Sequence, residues 1–247
     1  MEHRDIYNKM LEKINYYEIF VNCIEKCENF TYVRYNDGEL DLIFKKNPGF
    51  SHILKIWGTE IEKESSKLRN ILSKELEYYI GLCPGYTKNN VDLLESIINS
   101  NVRIIPTNLF SIDDIQTLKH LIEVLSKRNT IVVGPDYLRK LELHKVHIIT
   151  PMEYVWNHVE SIIKELEISI KELENPVILY SCSLAKNIIS DFIFDKYKYQ
   201  LTQIDIGSSF DPFCGVYSRT NHDEIMKKND IEIVRNIKKE IYQKKRI

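Results

Sequence analysis

Thr31-Tyr32-Val33-Arg34-Tyr35-Asn36-Asp37-Gly38-Glu39-Leu40 reads as a strand that breaks into a cluster of charge and then into a helix. Thr31 to Tyr35 is β-branched and aromatic, which predicts a strand, and Asn36, Asp37 and Gly38 are turn formers that end it. From Glu39 onward, Leu40, Leu42, Ile43 and Phe44 set a helical pattern. Two carboxylates separated by one glycine, on a turn leaving a strand, can point into one crevice, because Gly38 lets the backbone bend without a Cβ clash. Asp37 and Glu39 are therefore candidate ligands for a hard divalent cation. Mg²⁺ or Mn²⁺ takes oxygen donors and usually joins one or two protein carboxylates to substrate phosphates. Arg34 adds a planar fork at the strand end that suits a phosphate or holds a carboxylate. The same spacing also fits a solvated turn with an Arg–Asp ion pair.

The strand–turn–helix unit recurs outward from this stretch. Upstream, Ile6, Met10, Leu11, Ile14, Tyr17, Phe20, Val21 and Ile24 describe an amphipathic helix over 5–28. Downstream, Lys45 to Gly49 reads as a loop, and Thr59 as the N-cap of a helix running to Leu72. Strands are expected at 78–82, 102–105, 130–133, 146–149, 177–180 and 201–206, with helices at 91–98, 115–125, 152–173 and 184–194. Ser111 to Asp114 reads as the cap of the helix that ends at Leu125. Thr130 to Val133 and Val146 to Ile149 are continuously apolar, as buried parallel strands are. About seven alternations of strand and helix predict an α/β fold, a Rossmann-like layered sheet of mostly parallel strands with helices on both faces. No linker or repeat divides the chain, so one domain over 1–247 is expected.

The 247 residues are 43% hydrophobic, ample for a sizeable core, and carry a formal charge of −2. That balance gives no reason to expect nucleic acid as a partner, since nucleic-acid binders are strongly basic overall or on one face. Five scattered cysteines, Cys23, Cys27, Cys83, Cys182 and Cys214, follow no zinc-ligand spacing and suggest a reducing, cytoplasmic compartment. Cys23 and Cys27 read as buried small hydrophobes. The start of the chain lacks an apolar signal core, and no run approaches a membrane span. From Lys227 to Ile247 eight Lys or Arg stand against three acids, with Val234, Ile237 and Ile241 at helical spacing. This segment reads as a terminal helix packed on the domain with a lysine face in solvent. A weak peripheral contact with an anionic membrane is the alternative.

Ligands of open α/β sheets bind beyond the carboxyl ends of the strands. The polar turns at Asn36–Glu39, Cys83–Tyr86, Thr107–Asn108, Gly134–Asp136, Thr150–Glu153, Ser181–Ser183 and Gly207–Asp211 would share that edge. Neither a Gly-x-Gly-x-x-Gly turn nor a Walker-type Gly-Lys-Ser/Thr is present, so dinucleotide and ATP-motor fingerprints are absent. Gly207 and Ser208 follow a strand with small residues able to approach phosphate. Asp205, within an apolar strand, needs a partner or must face the crevice. Asp211, before Pro212, is a candidate hydroxyl acceptor, a base or a turn cap. Arg219 and His222 flank a later polar turn within reach of a diphosphate or its metal. Lys186, near the start of a helix, could meet a phosphate but reads as solvated by default, and His120, His144 and His147 read as surface or core-edge residues.

Arg34-Tyr35-Asn36-Asp37-Gly38-Glu39 resembles the Arg-Tyr/Phe-Gly-Asp-Gly-Glu signature of the GT-D glycosyltransferases, a bacterial family first catalogued as a domain of unknown function. Asp205-Ile206-Gly207-Ser208-Ser209-Phe210-Asp211-Pro212 is similar to that family's Asp-Ile/Val-Gly-Ser-Ala-Leu-Asp-Pro segment, and Ser218-Arg219 with His222 to the Ser-Arg…His that follows it. The two ordered motifs span nearly the whole chain. Two departures stand out: Asn36 replaces a frequent Gly, and Ser181-Cys182-Ser183-Leu184-Ala185-Lys186 replaces a Gly-Pro-Ser-Ala-Lys-like turn. The resemblance implies a metal-dependent glycosyltransferase taking a nucleotide-diphosphate sugar, a UDP-sugar above all, to a glycan or glycoprotein acceptor. In it Asp37 and Glu39 bind Mn²⁺ or Mg²⁺ and, with Asp211, form the catalytic set. Arg34, Asn36, Gly38, Gly134, Ser183, Asp205, Gly207, Ser208, Arg219 and His222 surround the nucleotide. A metal-dependent phosphoesterase and a non-catalytic sugar-nucleotide-binding module are the alternatives.

Overall fold

A computed structural model of the protein describes residues 14–46, 49–74, 76–99, 102–110, 115–219 and 222. Parts of four sequence expectations lie outside them: positions 5–13 of the first helix, Asn47 and Pro48 of the first loop, the cap at Ser111–Asp114, and the basic segment at 223–247.

Seven strands form one parallel sheet: β1 (Thr31–Tyr35), β2 (Tyr79–Leu82), β3 (Arg103–Pro106), β4 (Thr130–Gly134), β5 (Val146–Ile149), β6 (Val177–Tyr180) and β7 (Thr202–Asp205). Their order across the sheet is β3-β2-β1-β7-β6-β4-β5. The chain steps outward from β1 to β3, crosses to β4 and β5, and returns inward, so the first and last strands become central neighbours. Tyr32 pairs with Ile204 across that junction.

Helices cover both faces. On one, α1 (Tyr16–Lys26) and α7 (Ile115–Leu125) pack Phe20, Ile24, Leu118 and Leu121 against Tyr32, Leu179 and Ile204. On the other, α2 (Asp37–Phe44), α3 (Gly49–Trp57) and α4 (Glu62–Ser73) meet Val33, Tyr35 and Ile80, and short α5 (Pro84–Asn89) and α6 (Val91–Glu95) follow β2. Beside them, α8 (Val159–Glu172) and α9 (Ala185–Tyr197) bury Ile162, Leu166, Ile189 and Ile193 on Ile131, Ile148 and Ile178. The interior strands thus send alternate side chains into opposite cores, as a pleated sheet requires. The α/β layered fold expected from the sequence is the fold observed. No helix among the described residues is long and apolar enough to cross a membrane.

Several local expectations are corrected. Asp37 and Gly38 are not a turn but the first turn of α2, which begins directly after Asn36. Thr59 starts a short 3₁₀ turn, Thr59–Ile61, and Ile61 precedes α4. The long helix expected from Met152 begins only at Val159, after a loop and a 3₁₀ turn at Val155–His158. β5 is an edge strand with half-exposed His147 and exposed Ile149, because an apolar run reports burial on average and not a place in the sheet. Cys27 is exposed at the left-handed C-cap of α1 and Cys23 only half-buried, so neither is the buried small hydrophobe expected.

Candidate functional site

The direction in which each strand's successor turns opens a crevice at the sheet's centre. After β1 and β6 the chain enters α2 and α9 on one face. After β4 and β7 it packs Leu138, Leu141, Phe210 and Phe213 on the other. Such a switch leaves a gap beyond the carboxyl ends of the strands. A cleft of about 590 Å³ occupies it, lined from β1 by Arg34 and Asn36 to Glu39, and from the later loops by Ser181, Ser183, Lys186, Gly207, Ser208, Asp211 and Arg219. The two motifs, some 170 residues apart in sequence, share this one cavity.

Asp205 ties them together. Fully buried, it accepts from the Arg34 guanidinium (Nη2 to Oδ1, 3.0 Å), the Arg34 amide (3.1 Å) and the Gly207 amide (2.9 Å). Burial works against its charge, but Arg34 and Lys186 outweigh it and hold the carboxyl below the usual range. Gly207 has φ +48°, and a Cβ there would lie 1.9 Å from Arg34 Nη2, so backbone conformation and the guanidinium's space both require glycine. Of the two roles open in the sequence, Arg34 fills that of holding a carboxylate, while its Nε lacks a hydrogen-bond partner among the described residues.

Asp37 and Glu39 diverge, because residues two apart on a helix do not face each other. Asp37 is exposed at the cleft, its Oδ1 accepting from the Gly38 amide at 3.0 Å. Glu39 is buried: Oε2 accepts from the Asn36 amide at 3.0 Å, and Oε1 pairs with the Lys186 ammonium. Lys186, expected in solvent, is buried near the start of α9, with Asp205 Oδ2 at 3.6 Å as its second counter-ion. Burial opposes its charge, yet Glu39 and Asp205 hold the ammonium above the ordinary lysine range. Its position as the second residue of a helix gave no sign of this, since the partner carboxylates come from β7 and α2.

Asp211 heads the 3₁₀ turn Asp211–Cys214 and is almost fully buried while still lining the cleft. Burial pushes its carboxyl up, against the Ser218 hydroxyl bonded to Oδ2, the Tyr137 phenol and the Arg219 charge. Oδ1 has no aligned hydrogen-bond partner among the described residues, although the Tyr137 phenol is close to the carboxyl group. Arg219 reaches Ser208 Oγ through Nε at 3.4 Å. Ser183 lines the cleft with a left-handed φ of +52°, a strained state for serine at the turn into α9.

Gly134 and His222 do not line the cleft. Gly134 is packed under Leu138 and Ser181, with its carbonyl bonded to Thr150 and His147, and the neighbouring Pro135 forms the wall instead. His222 is buried, its amide bonded to the Arg219 carbonyl at 3.1 Å. Tyr137, Met152 and Cys83 line the cleft without belonging to either motif. Comparison with protein-family models, with curated proteins and with solved structures finds no match to this chain.

Proposed function

We propose that the chain is a glycosyltransferase moving a sugar from a nucleotide-diphosphate donor, a UDP-sugar in the first instance, to a hydroxyl of a glycan or glycoprotein. The observation that carries this reading is two buried groups at one cleft: the Arg34 guanidinium, whose Nε has no hydrogen-bond partner among the described residues, and the Asp211 carboxylate, whose Oδ1 has no aligned one although the Tyr137 phenol is close to the carboxyl. A buried polar group without a partner is costly, and a ligand or water in the cleft would relieve that cost. An anion answers the first, and a hydroxyl donor answers the second. In sugar transfer the bond from the anomeric carbon to the diphosphate breaks and a new one forms to the acceptor oxygen. Arg34 and Arg219 would bind the departing diphosphate, and Asp211, its carboxyl raised by burial, would take the acceptor's proton. Transfer, unlike hydrolysis, requires that second substrate.

A divalent cation fits one carboxylate here. Asp37 is exposed at the cleft and would hold the ion together with the donor's phosphates, whose charge the ion would neutralise when bound. Glu39 fits poorly as a ligand, since both oxygens are engaged within the protein. Among the described residues no group of three His, Cys, Asp or Glu is placed to hold a metal ion by itself, so a cation here would rely on the donor's phosphates. Calorimetric titration with UDP in the presence of Mn²⁺ tests the reading: saturable binding is expected, and its absence overturns the proposal.

A further inference from the structure

Four charges lie beneath the cleft in a closed group: Arg34 and Lys186 against Glu39 and Asp205. Both oxygens of Asp205 accept, through three hydrogen bonds in all among the described residues, and Glu39 has one oxygen on the Asn36 amide and the other on Lys186. Lys186 differs from both. An ammonium carries three donors. Among the described residues Lys186 spends one in a hydrogen bond, on Glu39, and Asp205 at 3.6 Å is beyond hydrogen-bond reach. Lys186 also lines the cleft. A buried ammonium with unused donors on a cavity that holds a second unpartnered cationic donor, Arg34 Nε, is placed for an anion.

We infer that Lys186 is a contact for the donor's diphosphate, and that Glu39 is its positioning residue and not a metal ligand. This rests on the sugar-nucleotide reading above. Carboxylates from two elements fix the ammonium: Glu39 from α2 sets its direction, and Asp205 from β7 keeps it charged. An arriving phosphate finds the cation already oriented and stripped of bulk water, so little ordering accompanies binding. Of the two carboxylates Asp37 and Glu39, Asp37 is then the one left for a cation, and metal and lysine act on the same phosphates from different sides.

The experiment pairs two ligands. In calorimetry with Mn²⁺ held constant, Lys186→Met should weaken UDP at least tenfold while changing uridine less than threefold, and Lys186→Arg should recover part of the loss. Because the methionine variant leaves Glu39 without its cation, the double variant Glu39→Gln with Lys186→Met serves as a folding-safe form, and it should show the same UDP loss. Bound Mn²⁺, followed by electron paramagnetic resonance with UDP present, should fall at least tenfold in Asp37→Asn and change less than threefold in Glu39→Gln. Loss of Mn²⁺ in Glu39→Gln makes Glu39 a ligand and overturns the inference, as does unchanged UDP affinity in folded Lys186 variants. Wild-type protein that binds no UDP at all overturns the sugar-nucleotide reading itself, a result the variants do not enter.

Discussion

Gly38 and Gly207 both border the cleft, yet a methyl group added at each meets opposite conditions. Gly38 is helical, with nothing within 4 Å of the place a Cβ would take, so Gly38→Ala should stabilise the protein by up to about 1 kcal/mol. Gly207→Ala combines a left-handed backbone with displacement of the Arg34 guanidinium, and should destabilise by at least roughly 1–2 kcal/mol. Denaturant unfolding of the two variants checks both signs. The two buried aspartates are opposed in the same way. Asp205 is held below the ordinary range, so it stabilises above the unfolded pKa, and that gain is lost as pH falls through its lowered value. Asp205→Asn should therefore cost about 3–5 kcal/mol at neutral pH by stranding two cations. Asp211 is raised, so its contribution is complete below the unfolded pKa and is withdrawn as pH rises through its folded value. Asp211→Asn should melt no lower than wild type at pH 8, the difference closing toward the ordinary aspartate range, while transfer is lost. A lower melting point at pH 8 would mean that the carboxylate is a structural acceptor for Ser218.

At the scale of elements, α9 does more for the site than α8, although both pack on the same core. Asn187 of α9 donates to the Arg34 carbonyl at 3.0 Å, fixing the end of β1 where the guanidinium leaves it. Asn187→Ala should cost about 1–3 kcal/mol by leaving a buried carbonyl unpaired, and should also weaken UDP binding. Ile168, exposed on α8, is the control: Ile168→Ala should change stability by less than about 0.5 kcal/mol and binding not at all. Thermal melts with and without UDP separate the two effects. α2 shows how an element decides chemistry. With only Asn36 between it and β1, it turns Asp37 outward and Glu39 inward, where a true turn would have left both free to converge.

For the whole molecule, the proposed site exists only because β7 returns to lie beside β1. Arg219 and Asp37, 182 positions apart by their numbers, line one cleft. Arg219→Ala should weaken UDP binding by roughly 1.5–3 kcal/mol, the size of a charge-assisted hydrogen bond. With Mn²⁺ present, the losses in Arg219→Ala and Asp37→Asn should be non-additive, since both would act on the same phosphates. A double-mutant cycle by calorimetry measures this, and strictly additive losses would separate the two ends of the chain functionally.

Much of this architecture is legible in the chain itself. Short apolar, β-branched or aromatic runs closed by turn residues mark the strands, and their alternation with helical spacing gives the layered α/β class, because hydrophobic periodicity is a local property. The strand-end rule likewise gathers Asp37, Ser183, Gly207 and Asp211 onto one edge from their places in the sequence. Tertiary structure alone decided the strand order, and with it that Asp205 meets Arg34 and that Lys186 lies between Glu39 and Asp205. It also decided that Gly134 and His222 stand back from the cleft. No local pattern encodes these outcomes: an ion pair across 147 residues depends on where two elements dock, and a side chain's direction depends on the helical phase at which its element begins.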